Sequence, residues 1–135
     1  MPKRIDHVAI IVRNIEQALV FYRDTLGIEP SEIKEVPTEQ VRIAFLPMGG
    51  PGGSEIELIE PTNSDSSLAK FLEKRGEGMH HICLEVKNID DALQEMQDKN
   101  APVLDKQPRI AAEGRAIFLH PKATNGVLLE LLEKI

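Results

Sequence analysis

The chain of 135 residues has one cysteine, Cys83, and so cannot close an internal disulfide. It also lacks any stretch near the roughly 18 consecutive apolar residues of a membrane helix, which excludes a helical span. Basic charge is scarce: 16 Lys and Arg stand against 22 Asp and Glu, a formal net charge of −6. A nucleic-acid partner, whose binding rests on neutralising many phosphates, is therefore not expected. The opening Met1-Pro-Lys-Arg-Ile-Asp-His7 has no apolar signal-peptide core, so a cytoplasmic protein is expected. The segment Met48-Gly-Gly-Pro-Gly-Gly53 lacks the strand-to-helix setting and the Lys-Ser/Thr ending of a phosphate-binding loop, and reads as a hairpin connection.

What the sequence does have is repetition. His7-Val-Ala-Ile-Ile-Val-Arg-Asn-Ile-Glu-Gln-Ala-Leu19 recurs 74 residues on as His81-Ile-Cys-Leu-Glu-Val-Lys-Asn-Ile-Asp-Asp-Ala-Leu93. Ile56-Glu-Leu-Ile-Glu60 recurs 73 residues on as Leu129-Glu-Leu-Leu-Glu133, and Phe45-Leu-Pro47 as Phe118-Leu-His120. Alternation over Asp6 to Val12 predicts a strand with Val8, Ile10 and Val12 on one face and His7, Ala9 and Ile11 on the other. Asn14 then caps a helical pattern carried by Ile15, Ala18, Leu19 and Tyr22, which Gly27 stops. Strands are predicted at about 31 to 36, 41 to 47 and 55 to 59, so the first half reads βαβββ. The second half repeats the plan with a strand over His81 to Val86, a helix from Ile89 to about Lys99, and strands near Val103, over Arg115 to His120 and over Val127 to Leu132. The expected architecture is α+β, two tandem βαβββ modules forming a half-barrel metal-binding cup. A 41% hydrophobic content and this length suit one soluble domain over residues 1–135. Module 1 covers about 1–62, a connector helix about 64–76, and module 2 about 79–135. Cys83 takes the place of Ala9 in the repeat and reads as a small buried strand residue.

Period two sets His7, His81, Glu57 and Glu130 opposite the more apolar faces of their strands, since Ile56 and Leu58 flank Glu57 as Leu129 and Leu131 flank Glu130. A pseudo-twofold relation between the halves would bring all four together. Two neutral imidazoles and two carboxylates balance a divalent first-row ion, with Co, Mn, Ni, Zn and Fe all open. Four such ligands leave two octahedral positions for a bidentate substrate. His80 falls on the other strand face and reads as structural, while His120, whose counterpart is Pro47, could support a ligand or contact substrate.

These residues resemble the vicinal-oxygen-chelate (glyoxalase-like) superfamily and, within it, the methylmalonyl-CoA epimerase family. The resemblance runs through Ile5-Asp-His-Val-Ala9, Ile56-Glu-Leu-Ile-Glu-Pro61, Ser67-Leu-Ala-Lys-Phe-Leu-Glu-Lys-Arg-Gly-Glu-Gly78, Met79-His-His-Ile82, Phe118-Leu-His-Pro-Lys122 and Gly126-Val-Leu-Leu-Glu130. It implies a metal-dependent epimerase that interconverts the R and S forms of methylmalonyl-CoA by removing and returning the α-proton through a metal-stabilised enolate. It makes His7, Glu57, His81 and Glu130 the metal ligands, the second being Gln in some members, and Glu130 a catalytic acid/base. It points first to Co2+, with Mn2+, Ni2+ or Zn2+ as alternatives, to an acyl-CoA substrate and to a homodimer.

Inversion calls for a proton donor or acceptor on each face of the planar intermediate. Some members carry a second Glu where this chain has Ile43. That acid/base is unassigned here, Glu85 and Glu39 being the nearest carboxylates along the strands. The basic residues available to CoA phosphates are Lys74, Arg75, Lys106, Arg109, Arg115 and Lys122. Two other readings compete: a glyoxalase-type lyase or isomerase of the same superfamily, and a non-catalytic module that binds a small ligand.

Overall fold

The computed structural model describes all residues, Met1–Ile135. The strands are β1 Pro2–Ile11, β2 Glu32–Val36, β3 Val41–Met48, β4 Ser54–Pro61, β5 Gly78–Val86, β6 Arg109–Ala111, β7 Gly114–Leu119 and β8 Leu129–Lys134. The helices are α1 Ile15–Leu19, α2 Ser67–Arg75 and α3 Ile89–Asp98. The chain is thus mixed α+β, with the βαβββ order met twice. No helix is long and apolar enough to cross a membrane.

Two elements differ from the sequence expectation. Beyond Leu19 the first helix widens into π-helical turns over Val20–Thr25. There the Thr25 hydroxyl donates to the Val20 carbonyl and Leu26 N–H reaches back to the Phe21 carbonyl, both five residues away. Gly27, at φ 77°, closes the segment in the left-handed conformation that glycine adopts without a Cβ clash. The strand expected near Val103 is a single bridge from Val103 to Leu119, and the edge strand lies later, at Arg109–Ala111. The Asp105 carboxylate explains the shift: its Oδ2 accepts the Phe118 N–H at 2.8 Å, taking a donor that a continuous ladder would have used.

The chain divides into two compact units, Val8–His80 and Met1–His7 with His81–Ile135. In Val8–His80 the strand order is β2-β3-β4-β1, with β3 antiparallel to both β2 and β4. Its core forms where Ile15 and Leu19 of α1 settle on Val12, Ala44, Leu46 and Leu58. Asn14 caps α1 through Gln17 N–H, and Glu60 accepts the Ile15 N–H. Arg42 pairs with Glu16 at 2.7 Å.

The other unit repeats each device. Its order is β1-β5-β8-β7-β6, with β5 parallel to β8 and β7 antiparallel to β8. Ile89, Ala92 and Leu93 of α3 pack on Val86, Ile117, Leu119 and Leu131. Asn88 caps α3 through Asp91 N–H, Glu133 accepts the Ile89 N–H, and Arg115 pairs with Asp90 at 3.0 Å. The duplication therefore extends past the strand pattern to the caps and the surface ion pairs. The exposed pairs are worth little energetically, but the caps satisfy amides that begin each helix.

Candidate metal centre

Three of the predicted ligands meet inside the unit formed by Met1–His7 and His81–Ile135. His7 is delivered by β1, His81 by β5 and Glu130 by β8, where Glu130 stands opposite Cys83 in the parallel ladder and opposite Phe118 in the antiparallel one. The His7 and His81 Nε2 atoms are 3.3 Å apart, and Glu130 Oε1 lies 3.4 Å from the first and 3.0 Å from the second. All three residues are buried, at 4%, 7% and 5% exposure.

Burying imidazoles and a carboxylate is costly unless their polar atoms are satisfied. Asp6 performs that service for His7. Its Oδ2 lies 2.7 Å from His7 Nδ1, while Oδ1 accepts from Lys134 Nζ at 2.8 Å and Arg4 Nη1 at 3.0 Å. Burial pushes the Asp6 carboxyl up, but the bonds and charges of His7 and Lys134 outweigh it and hold the group ionised, below the usual carboxylate range. An ionised Asp6 can only accept, so the His7 proton sits on Nδ1 and the Nε2 lone pair faces His81 and Glu130.

Glu130 is held ionised as well. Burial raises its pKa, yet the His7 and His81 imidazoles bring it down to about 2. A lone pair, a carboxylate and a second imidazole nitrogen aimed at one point form a donor set for a cation. Metal–ligand bonds of about 2.1 Å put neighbouring donors in right-angled coordination about 3 Å apart, close to the spacing found. The residues present fit a divalent ion.

Around this point the strand face is closed by apolar groups. Cys83, Ala116 and Leu132 are fully buried together, and burial pushes the Cys83 thiol up to about 12, so it stays neutral. The His81 ring meets Phe118 edge on at 5.5 Å. Glu113 Oε2 stands 4.0 Å from His7 Nδ1. The fourth predicted ligand, Glu57, belongs to Val8–His80, where it is buried at 4% exposure on β4 opposite Phe45.

Residues 6–118 match the family described as the Glyoxalase/Bleomycin resistance protein/Dioxygenase superfamily. The mitochondrial methylmalonyl-CoA epimerase of Mus musculus is 42% identical over 130 residues, covering 95% of this chain and 71% of that protein. The ethylmalonyl-CoA/methylmalonyl-CoA epimerase of Cereibacter sphaeroides is 40% identical over 131 residues, 95% of this chain and 96% of its own. The chain belongs to the methylmalonyl-CoA epimerase family of this superfamily. Among solved structures, a variant of the Streptomyces coelicolor methylmalonyl-CoA epimerase in complex with 2-nitronate-propionyl-CoA superimposes with a TM-score of 0.91 at 38% identity, over 99% of each chain.

For a member of the methylmalonyl-CoA epimerase family, the remaining candidates fall into place by their contacts. Ile43 is buried on β3 and can move no proton. Glu85 is engaged by Arg4 at 3.0 Å and Lys3 at 3.7 Å, which commits its charge to a surface pair. Glu39 lies in a short 3-10 turn, Pro37–Glu39. His120 is exposed and caps Pro121–Ala123, its Nδ1 accepting from Lys122 N–H, which accounts for its side chain without the metal centre. His80 packs edge on against Phe71, over which Arg75 also sits. Among the basic residues, Arg115 is spent on Asp90 and Arg109 on Asp105.

Sequence reasoning missed Asp6, Lys134 and Glu113. Strict alternation puts Asp6 on the face away from His7, yet both are buried and their side chains touch. The signal available was a charged residue directly preceding His7 inside an otherwise apolar strand.

Proposed function

We propose that the protein is a metal-dependent epimerase that inverts the α-carbon of methylmalonyl-CoA or a close acyl-CoA. The observation that carries this reading is the convergence of His7 Nε2, His81 Nε2 and Glu130 Oε1 within 3.4 Å, with Asp6 fixing the His7 tautomer so that its lone pair faces the cluster. The family relation supports the substrate class. A divalent ion held there would polarise the thioester oxygen and offset the charge that builds on it when the α-proton leaves.

The chain's own residues divide the remaining work. His7, His81 and Glu130 are proposed as ligands, joined by Glu57 because the repeat pairs it with Glu130 and its carboxylate is buried on β4. Glu130 is also the acid/base at one face of the substrate. A carboxylate with a pKa of about 2 is a weak base, so it can take only a proton made acidic by adjacent positive charge. The second face has no assigned residue. Buried Cys83, Ala116 and Leu132 keep water from the floor of the cluster, which strengthens the electrostatics within it.

Co2+ is the leading ion, with Mn2+, Ni2+ and Zn2+ to be ranked by adding each back after chelation. A homodimer and a cytoplasmic location complete the reading, with residues 1–135 acting as one domain; light scattering and fractionation test the first two. The central experiment incubates the metal-loaded protein with one epimer of methylmalonyl-CoA in D2O. Inversion with one deuterium at the α-carbon is expected, and retention of configuration without exchange overturns the proposal.

A further inference from the structure

We propose that Asp105 and Arg109 are positioning residues for the metal-site imidazole of His81, acting through the ring of Phe118. The inference rests on the metal reading above and concerns residues that reading leaves without a role. The repeat gives His7 a preceding Asp6 but gives His81 a preceding His80, whose ring turns to Phe71. The repeat thus places an acid before His7 and a second imidazole before His81. His81 also meets the ring of Phe118, with centroids 5.5 Å apart and planes at 88°.

Phe118 is itself held from two directions by one carboxylate. Asp105 Oδ2 accepts the Phe118 backbone N–H at 2.8 Å, and Asp105 Oδ1 accepts Arg109 Nε at 2.7 Å. That second bond places the guanidinium carbon 4.9 Å from the centre of the Phe118 ring. A cation over an aromatic face attracts it, and a planar guanidinium held by a carboxylate keeps that geometry better than a flexible ammonium would. The Asp105 side chain is 8% exposed while that of Arg109 is 51% exposed. A buried acid anchoring a solvent-facing arginine over a ring is an arrangement with little reward as a surface ion pair. The same ring therefore carries two contacts, the Arg109 guanidinium over it and the His81 imidazole edge on, and its ladder partner is Glu130. Ligand orientation set by such outer partners commonly governs metal affinity.

The test compares Arg109→Gln, Arg109→Lys and Phe118→Leu with the wild-type protein in two measurements. The first is Co2+ titration followed by its visible absorption. The second is side-chain NMR of the His81 ring without metal, where the Phe118 ring current reports their contact. Arg109→Gln is expected to weaken Co2+ binding about tenfold, alter the absorption band and move the His81 resonances, with Arg109→Lys in between. Its thermal midpoint should stay near the wild-type value, because a half-exposed side chain carries little of the fold. Phe118→Leu should move the same readouts further. Co2+ affinity within twofold of wild type, an unchanged band and unmoved His81 resonances in Arg109→Gln overturn the inference. A wild-type protein that binds no Co2+ refutes the metal reading, and the His81 resonances then decide the positioning role by themselves.

Discussion

Asp6→Asn is the most informative single change, because Asn keeps the shape of the side chain while removing its charge and turning one acceptor oxygen into a donor. In the native protein Asp6 accepts from His7 at 2.7 Å, Lys134 at 2.8 Å and Arg4 at 3.0 Å. A buried hydrogen bond to a charged group is worth about 1.5–3 kcal/mol, and an Asn oxygen in the Oδ1 position can still accept from Lys134 and Arg4, so the bond lost is the one to His7. Lys134 is 35% exposed and is partly rehydrated when its partner loses charge, which places the expected cost near the low end, about 2 kcal/mol. For a chain of this size that is a fall in thermal midpoint of roughly 6 °C. The second effect is on His7: without the carboxylate its Nδ1 proton is no longer fixed and the ring is a poorer donor, so metal affinity should fall about 10- to 100-fold. The pH dependence has a definite sign. The Asp6 pKa is depressed in the folded protein, so its contribution is complete above the unfolded value near 4 and is lost as pH falls below it. The stability gap between wild type and Asp6→Asn should be constant from about pH 5 upward and close toward pH 2. Calorimetry of the metal-free proteins and titration with Co2+ supply both numbers. Unchanged Co2+ affinity in a folded Asp6→Asn protein would refute the tautomer argument.

Three further outcomes are expected. Glu130→Gln should weaken metal binding more than tenfold and abolish α-deuterium exchange, and wild-type exchange in that variant would remove Glu130 from the chemistry. Glu57→Gln should weaken metal binding about tenfold without unfolding the protein, measured by the same titration; equal affinity would leave three ligands. Cys83, fully buried with its thiol pushed up to about 12, should fail to react with a thiol-specific disulfide reagent until the protein is denatured, when one equivalent appears. Rapid labelling of the native protein would contradict the packing of Cys83 against Ala116 and Leu132.

The duplication made the module plan legible, because each strand and helix was read twice from independent residues. His7, His81 and Glu130 were reachable by period two, and the structure brings them together. Asp6 was not reachable, since alternation assigns neighbours to opposite faces and both Asp6 and His7 are buried at the same point. The edge strand of the second module was misplaced for a related reason. Side-chain hydrogen bonding by Asp105 competes with the ladder at Phe118, and hydrophobic periodicity carries no trace of such a bond. The π-helical turns after Leu19 likewise leave no mark on the apolar pattern, which Tyr22 continues unbroken.

The two histidines that the repeat makes equivalent are thus oriented by unlike forces. His7 is set by a charged hydrogen bond, short and directional, whose strength depends on the ionisation of Asp6. His81 is set in part by the face and edge of an aromatic ring, whose hold depends on packing and on a cation above it. High salt, which screens the exposed Arg109 more than the buried Asp6, should therefore act through His81 rather than His7. The repeat supplies matched imidazoles at His7 and His81, and the differences between the copies lie one contact further out, at Asp6 and at Phe118.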